Sequence, residues 1–194
     1  RKAGNLGEFC RRCIDDYEFM VVLDADSVMT GATLLHLVRR MESDPTLGLV
    51  QTVPLPVGQE TLFGRAVQFA ACLYGPMLAA GQSFWQGDTG NYWGHNAIVR
   101  LRPFAEHARL PVLPGRAPLG GEILSHDFVE AAWLRRAGWR VIHATAMPSG
   151  GTAFTAAATS SRPAPLRSLS STTCTPAAAV ASTTSASASA AARS

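Results

Sequence analysis

Residues Phe19-Met20-Val21-Val22-Leu23 form an unbroken apolar run that stops at Asp24-Ala25-Asp26-Ser27. A strand with one wet face alternates apolar and polar residues, so a continuous run rich in β-formers reads as a strand covered on both faces. Such a strand needs packed layers above and below it, and the flanking sequence supplies helices for them. Leu6, Phe9, Cys10 and Cys13 recur at helical spacing ahead of the run. After it, Thr30 can cap a helix carrying Leu34, Leu37, Val38 and Met41 on one face, and Leu47 to Gln51 reads as a second short strand. Residues 61–80 read as a helix disturbed at Gly75-Pro76, Ala97-Ile98-Val99 as a short strand, Asp127 to Ala137 as a helix closed by Gly138, and Arg140 to His143 as a last strand. The alternation predicts an α/β fold with a largely parallel central sheet, whose ligands gather beyond the carboxyl ends of the strands.

Charge and cysteine usage exclude several classes. Of the 194 residues, 1–150 hold all 14 acids and 14 of the 17 bases, and the other three bases are Arg162, Arg167 and Arg193. The body is therefore neutral and lacks the single-sign field that a polyphosphate backbone selects, so no nucleic-acid partner is expected. Cysteines at 10, 13, 72 and 174 make no disulfide framework, which favours a reducing compartment. Cys10-x-x-Cys13 has no second ligand pair at a zinc-like spacing, and zinc is not expected. The longest near-continuous apolar stretch, residues 69–81, carries Pro76 and falls short of the roughly 20 residues of a spanning helix, so no membrane crossing is expected here. The start, Arg1-Lys2-Ala3-Gly4, has neither an initiator methionine nor an apolar leader and reads as the interior of a longer protein.

The composition changes abruptly near residue 149. Between 151 and 194, 14 Ala, 10 Ser and 8 Thr account for 32 of 44 residues, and the large apolar groups are Phe154, Leu166, Leu169 and Val180. Such a tail buries too little surface to offset its ordering entropy, so it is expected to be disordered, as a flexible linker or as an out-of-frame translation of a GC-rich gene. The organisation expected is a folded body over 1–148 and a low-complexity tail over 149–194.

Three groups of residues carry candidate chemistry. Asp24 and Asp26 stand where a buried strand meets solvent, and in an extended segment residues i and i+2 point the same way. Paired carboxylates suit a hard cation such as Mg²⁺ or Mn²⁺ bridging to substrate phosphates; equally, Asp-Ala-Asp-Ser is ordinary chemistry for a turn. Asp127-Phe128-Val129-Glu130 fits a capping box, while Ser125-His126-Asp127, after the glycine-rich stretch 115–121, places a carboxylate where it could act as a general base on a hydroxyl. Phe84-Trp85 and Tyr92-Trp93, beside Gly94-His95-Asn96, suit a sugar ring if their faces are exposed, or core packing if they are not.

Taken jointly, these pieces closely resemble the glucans biosynthesis glucosyltransferase H family, processive inverting family 2 glycosyltransferases related to cellulose synthase. The resemblance lies in Lys2-Ala3-Gly4-Asn5-Leu6, Val22-Leu23-Asp24-Ala25-Asp26-Ser27, Val50-Gln51-Thr52, Tyr92-Trp93-Gly94-His95-Asn96-Ala97-Ile98 and Leu124-Ser125-His126-Asp127-Phe128-Val129-Glu130-Ala131-Ala132. It implies a partial GT-A type fold, a UDP-glucose donor, and a growing glucan acceptor chain destined for osmoregulated periplasmic glucans. It implies donor contacts at Lys2 and Asn5, metal and donor diphosphate at Asp24 and Asp26, acceptor contacts at Trp93, Gly94, His95 and Asn96, and a catalytic base at Asp127. It also implies a bacterial inner-membrane enzyme with its catalytic domain on the cytoplasmic side, anchored by parts outside this chain.

Two pieces of the family pattern are missing. The earlier strand whose aspartate binds uridine would precede residue 1, and the Arg-Trp motif expected after Pro148 is replaced by Ala, Ser and Thr. The chain as given is therefore expected not to polymerise glucan unaided, and a catalytically incomplete fragment is the rival expectation. A cellulose or hyaluronan synthase is disfavoured, since those relatives usually show Thr/Ser-Glu-Asp where this chain has Ser125-His126-Asp127.

Overall fold

A computed structural model describes residues 2–116, 120, 121, 123, 125–144, 154–158 and 178–183. In chain order the elements are α1 (Lys2–Cys13), β1 (Phe19–Asp24), β2 (Ser27–Val28), α2 (Gly31–Ser43), β3 (Leu47–Gln51), β4 (Val53–Val57), α3 (Leu62–Gln86), β5 (Ala97–Arg100), α4 (Leu101–His107), α5 (His126–Arg136), β6 (Arg140–His143), β7 (Phe154–Ala158) and β8 (Ala178–Thr183). The central sheet has the order β6-β3-β5-β1-β8, and β2, β7 and β4 form a second, smaller sheet.

The apolar run is the centre of this arrangement. Phe19, Met20, Val21 and Val22 are all buried, and successive residues feed opposite layers. Met20 and Val22 join Leu6 and Cys10 of α1, Leu101 and Phe104 of α4, and Ala131 and Leu134 of α5. Phe19 and Val21 join Leu37, Val38 and Met41 of α2. Each fully buried side chain of this size contributes about 1.5–3 kcal/mol, so the run alone accounts for much of the cohesion between layers. Burial pushes the Cys10 thiol up to about 11, which keeps it neutral in the apolar layer.

The α/β class holds, but the sheet departs from a largely parallel centre. β3 pairs in parallel with β6 and β1 with β8, whereas β5 runs antiparallel to both of its neighbours, β3 and β1. The reversal follows from α3 and the segment after it, which return the chain to the same edge of the sheet from which β3 emerged. The tail, expected to be disordered, contributes two short strands, β7 beside β4 and β8 beside β1. The rest of that tail, and with it the positions after Pro148, lies outside the described residues.

Thr30 caps α2 as the sequence indicates, its side chain accepting from the Thr33 amide at 3.2 Å. α3 outruns its expected end at residue 80 and reaches Gln86 with Pro76 inside it. The carbonyl that Pro76 leaves without a partner is that of Cys72, an exposed residue, so water can satisfy it. Among the described residues no helix is long and apolar enough to cross a membrane.

Candidate active site

One row of paired residues crosses the sheet through His143, Gln51, Ala97 and Val22. Just beyond it the chain delivers Asp24 at the end of β1, Thr52 after β3 and Asn96 before β5 to the same edge. Because β5 is antiparallel, its start rather than its end lies at this edge, which brings the Trp93–Asn96 segment beside the ends of β1 and β3. Asp24 is two residues past Val22 and so shares the side of the sheet on which α5 packs. The first turn of α5 carries Asp127.

The resulting group is compact. His95 Nδ1 lies 4.0 Å from Asp24 Oδ2. Gly94 lies against Asp127: a Cβ built on it would stand 3.3 Å from Asp127 Oδ2 and 3.4 Å from Asp127 Cβ. With φ of +79° as well, position 94 accepts glycine and little else. Tyr92 lies beneath, fully buried, and its phenol is pushed far above the ordinary range by burial and then by the charges of Glu130, Asp127 and Asp24. Two carboxylates from different elements thus flank the Gly94-His95 backbone over a neutral phenol.

Gln51 holds this segment in place. Its Nε2 donates to the carbonyls of Thr52 and His95 at 2.8 and 2.9 Å, and its Oε1 accepts from the Trp93 amide at 2.9 Å. The Thr52 backbone amide also donates to the Asn96 carbonyl at 3.0 Å. Asn96 itself sits at φ +53°, a left-handed conformation that Asn tolerates better than most residues. Gln51→Leu would strand the Trp93 amide and the His95 carbonyl, each at about 1–3 kcal/mol. The expected result is a thermal midpoint lower by about 10 °C. A midpoint within about 2 °C of the parent, by scanning calorimetry, would show that the clamp is idle.

Trp93 is half-buried and packs on His143, with ring centroids 5.0 Å apart and planes tilted by 52°. Neither nitrogen of His143 has a hydrogen-bond partner among the described residues, and burial lowers its pKa below that of free histidine. A histidine held neutral in the folded state costs stability once the unfolded chain takes up protons. Stability is therefore expected to fall as pH drops below about 6.5, the ordinary histidine value. His143→Phe should show a smaller fall in thermal midpoint between pH 7.5 and 5.5, and equal falls would show that His143 does not set the trend.

The site residues expected from sequence divide unevenly. Asp24, Gly94, His95 and Asp127 come together, with Trp93 and Asn96 on the adjoining backbone. Asp26 is exposed on the turn between β1 and β2, so the extended i, i+2 geometry stops at Asp24. Asn5 is exposed on α1, and Lys2 begins that helix; no contact among the described residues ties Asn5 to the carboxylates. The capping box on Asp127 does not form. Ser125 is the residue ahead of α5, with no side-chain cap, and Asp127 is the second residue of the helix. Glu130, instead of reaching back, lies buried with its Oε1 3.3 Å from His126 Nδ1. Tyr92 has no exposed face for a sugar, whereas Phe84 and Trp85 are exposed on α3. Residues 117–119 of the glycine-rich stretch and Leu124 lie outside the described residues.

Among the described residues no three His, Cys, Asp or Glu side chains converge on one point. Mg²⁺ and Mn²⁺ keep waters and are held by one or two carboxylates together with substrate phosphates, so for them the carboxylates to consider are those of Asp24 and Asp26. Asp24, partly exposed at the strand end, and Asp26, open to solvent, can supply those oxygens.

The sequence profile described as Glycosyl transferase family group 2 matches residues 19–181. The chain belongs to that family. Among curated relatives, it is 60% identical over 141 residues to a glucans biosynthesis glucosyltransferase H of Cupriavidus pinatubonensis (strain JMP 134 / LMG 1197), covering 73% of the chain and 16% of that protein. The match to the protein of the same name from Xylella fastidiosa (strain 9a5c) is 58% over 139 residues, covering 72% and 22%. For Rhodopseudomonas palustris (strain ATCC BAA-98 / CGA009) it is 57% over 141 residues, covering 73% and 20%. The chain thus spans about a fifth of the length of these relatives, and the motifs quoted from its sequence led to the same family 2 group.

Proposed function

We propose that this chain is catalytic body from an inverting glucosyltransferase that adds glucose from UDP-glucose to a growing β-glucan, in the synthesis of osmoregulated periplasmic glucans. The observation that carries the reading is that Asp24 and Asp127, from different elements, both lie against the Gly94-His95 segment, Asp24 within 4.0 Å of the His95 ring and Asp127 against Gly94. A transferase needs two acidic functions, one toward the donor diphosphate and one toward the acceptor hydroxyl, with room for a sugar between them.

In this reading Asp127 accepts the proton of the acceptor hydroxyl as its oxygen attacks the anomeric carbon. One C–O bond forms while the bond from that carbon to the diphosphate breaks, and the electron pair leaves with UDP. A single displacement inverts the anomeric centre. Gly94, without a side chain, leaves the Asp127 carboxylate open to the acceptor. Trp93, partly exposed, is the acceptor-side ring, and Asn96, fully buried, supports that backbone from within. Asp24 and Asp26 would hold Mg²⁺ or Mn²⁺, which neutralises charge on the departing diphosphate. Lys2 and Asn5 are assigned to the donor nucleotide. The working enzyme is the longer protein, at the bacterial inner membrane with this body on the cytoplasmic side.

Donor choice tests the reading. The full-length Xylella fastidiosa protein should incorporate labelled glucose from UDP-glucose into polymer, and UDP-N-acetylglucosamine should support less than about a tenth of that rate, as expected where a site must discriminate by polar contacts. Incorporation from another nucleotide sugar, with none from UDP-glucose, would overturn it.

A further inference from the structure

The inward stripe of α5 is partly polar. His126, Glu130 and Leu134 follow one another at four-residue spacing, so two polar residues stand where a packed helix would carry apolar ones, while Phe128 is exposed. The Glu130 side chain is 4% exposed, and its Oε1 lies 3.3 Å from Nδ1 of His126, itself 15% exposed. The layer around them is apolar and includes Leu101 and Phe104 of α4, Ala131 and Leu134 of α5 and Val141 of β6. The titratable groups that feel Glu130 across that layer are Cys10 of α1 and Tyr92 of the segment ahead of β5. Burial first, and then the charge of Glu130 ahead of any other, holds both of them neutral. Among the described residues the ion pair that Glu130 makes is the one with His126.

Such a pair is costly to bury, and apolar side chains of similar volume often hold a layer as well or better. Stability alone therefore does not account for it. α5 begins without a side-chain cap, since Ser125 makes no such bond, so its first turn needs another fastening. That turn carries Asp127, which lies against Gly94. A pair four residues apart spans the turn and ties its start to Glu130, which the packed layer holds. With the His126 ring turned toward Glu130, Asp127 stands about 100° further round the helix, on the side of Gly94.

We propose that Glu130 is a positioning residue for Asp127: through His126 it fastens the uncapped first turn of α5 and so holds the Asp127 carboxylate in place beside Gly94. The inference rests on the reading of Asp127 as the base and adds to it what keeps that base in position. Glu130 lies too deep to meet a substrate itself, so its effect falls on turnover rather than on donor binding.

Turnover and Michaelis constant, measured separately in the full-length enzyme, test it. Misplacing a reacting group by about 1 Å can cost about 10²-fold, so Glu130→Leu should lower kcat at least about tenfold while KM for UDP-glucose stays within about twofold. Glu130→Gln keeps an oxygen facing His126 and should stay within about threefold of the parent. His126→Phe removes the other end of the contact, should repeat the fall of Glu130→Leu, and serves in its place if that variant does not fold. A merely structural lesion multiplies with any other, whereas a residue acting through Asp127 does not. In the Asp127→Asn background Glu130→Leu should therefore cost at most about a further twofold. A kcat within about threefold of the parent in Glu130→Leu or in His126→Phe, an equal fall in Glu130→Gln and Glu130→Leu, a fall confined to KM, or full multiplication with Asp127→Asn would overturn the proposal. Near-normal turnover in Asp127→Asn alone would instead overturn the base reading, and this inference with it.

Discussion

Asp127→Asn in the full-length enzyme is expected to lower the rate of glucose transfer by about 10²-fold or more while UDP binding persists. The substitution keeps size and shape and replaces the carboxylate with an amide too weakly basic to take the acceptor proton. Had Asp127 been the cap of α5, the same change would also be a test of folding, but the structure places it at the second helical position, with Ser125 ahead of the helix. What Asn forfeits structurally is the favourable meeting of a negative charge with the helix N-terminus, about 0.3–1 kcal/mol at an accessible site. Thermal stability should therefore change little. Near-normal turnover, or activity lost only in step with unfolding, would move the base elsewhere. The nearest alternative carboxylate on this helix is Glu130, which is buried against His126 and less able to reach an acceptor.

The parts of the fold legible in the sequence are those decided by local burial. Phe19 to Leu23 has no way to leave water except inside two layers, and Thr30 has a hydroxyl one residue ahead of an apolar periodicity, so both could be read without coordinates. The direction of β5 could not, because Ala97 to Arg100 is equally apolar in either sense and its orientation depends on where α3 delivers the chain. The smaller sheet was hidden for a related reason: β4, Val53 to Val57, contains two prolines, which argue against a central strand and do not identify an edge one.

The candidate site was legible as chemistry and only partly as geometry. Asp24 and Asp127 stand out as carboxylates at the edges of apolar elements, but nothing local in the sequence says that His95 and Gly94 are their neighbours. Gln51 was visible as a polar residue closing a buried strand, a pattern that signals a hydrogen-bonding duty, yet its partners lie at Thr52, Trp93, His95 and Asn96. The capping box misled because Ser125-His126-Asp127 offers two starting points for one helix, and the pairing of His126 with Glu130 favours the earlier one. On α3 the apolar pattern was readable and its sense was not: periodicity locates an apolar face without saying whether it faces the body or away from it.

If Asp24 and Asp26 share a cation with the donor, UDP and metal must tighten each other's binding by the same factor, since coupling between two ligands is reciprocal. Two carboxylates alone hold Mg²⁺ or Mn²⁺ weakly, so most of the coordination has to come from the diphosphate and water, and the coupling should be large. An effect of about tenfold or more on the UDP dissociation constant is expected in the full-length enzyme, equivalent to about 1.4 kcal/mol. Asp26→Asn should remove most of it, because Asp26 is exposed on its turn and has little else to do there. Asp24→Asn should remove it too and, in addition, disturb His95, whose ring faces that carboxylate at 4.0 Å. Calorimetry in the presence and absence of Mn²⁺ separates the cases. Equal UDP affinity with and without metal in the parent enzyme would show that these aspartates do not ligate a cation and that the diphosphate is neutralised by other groups.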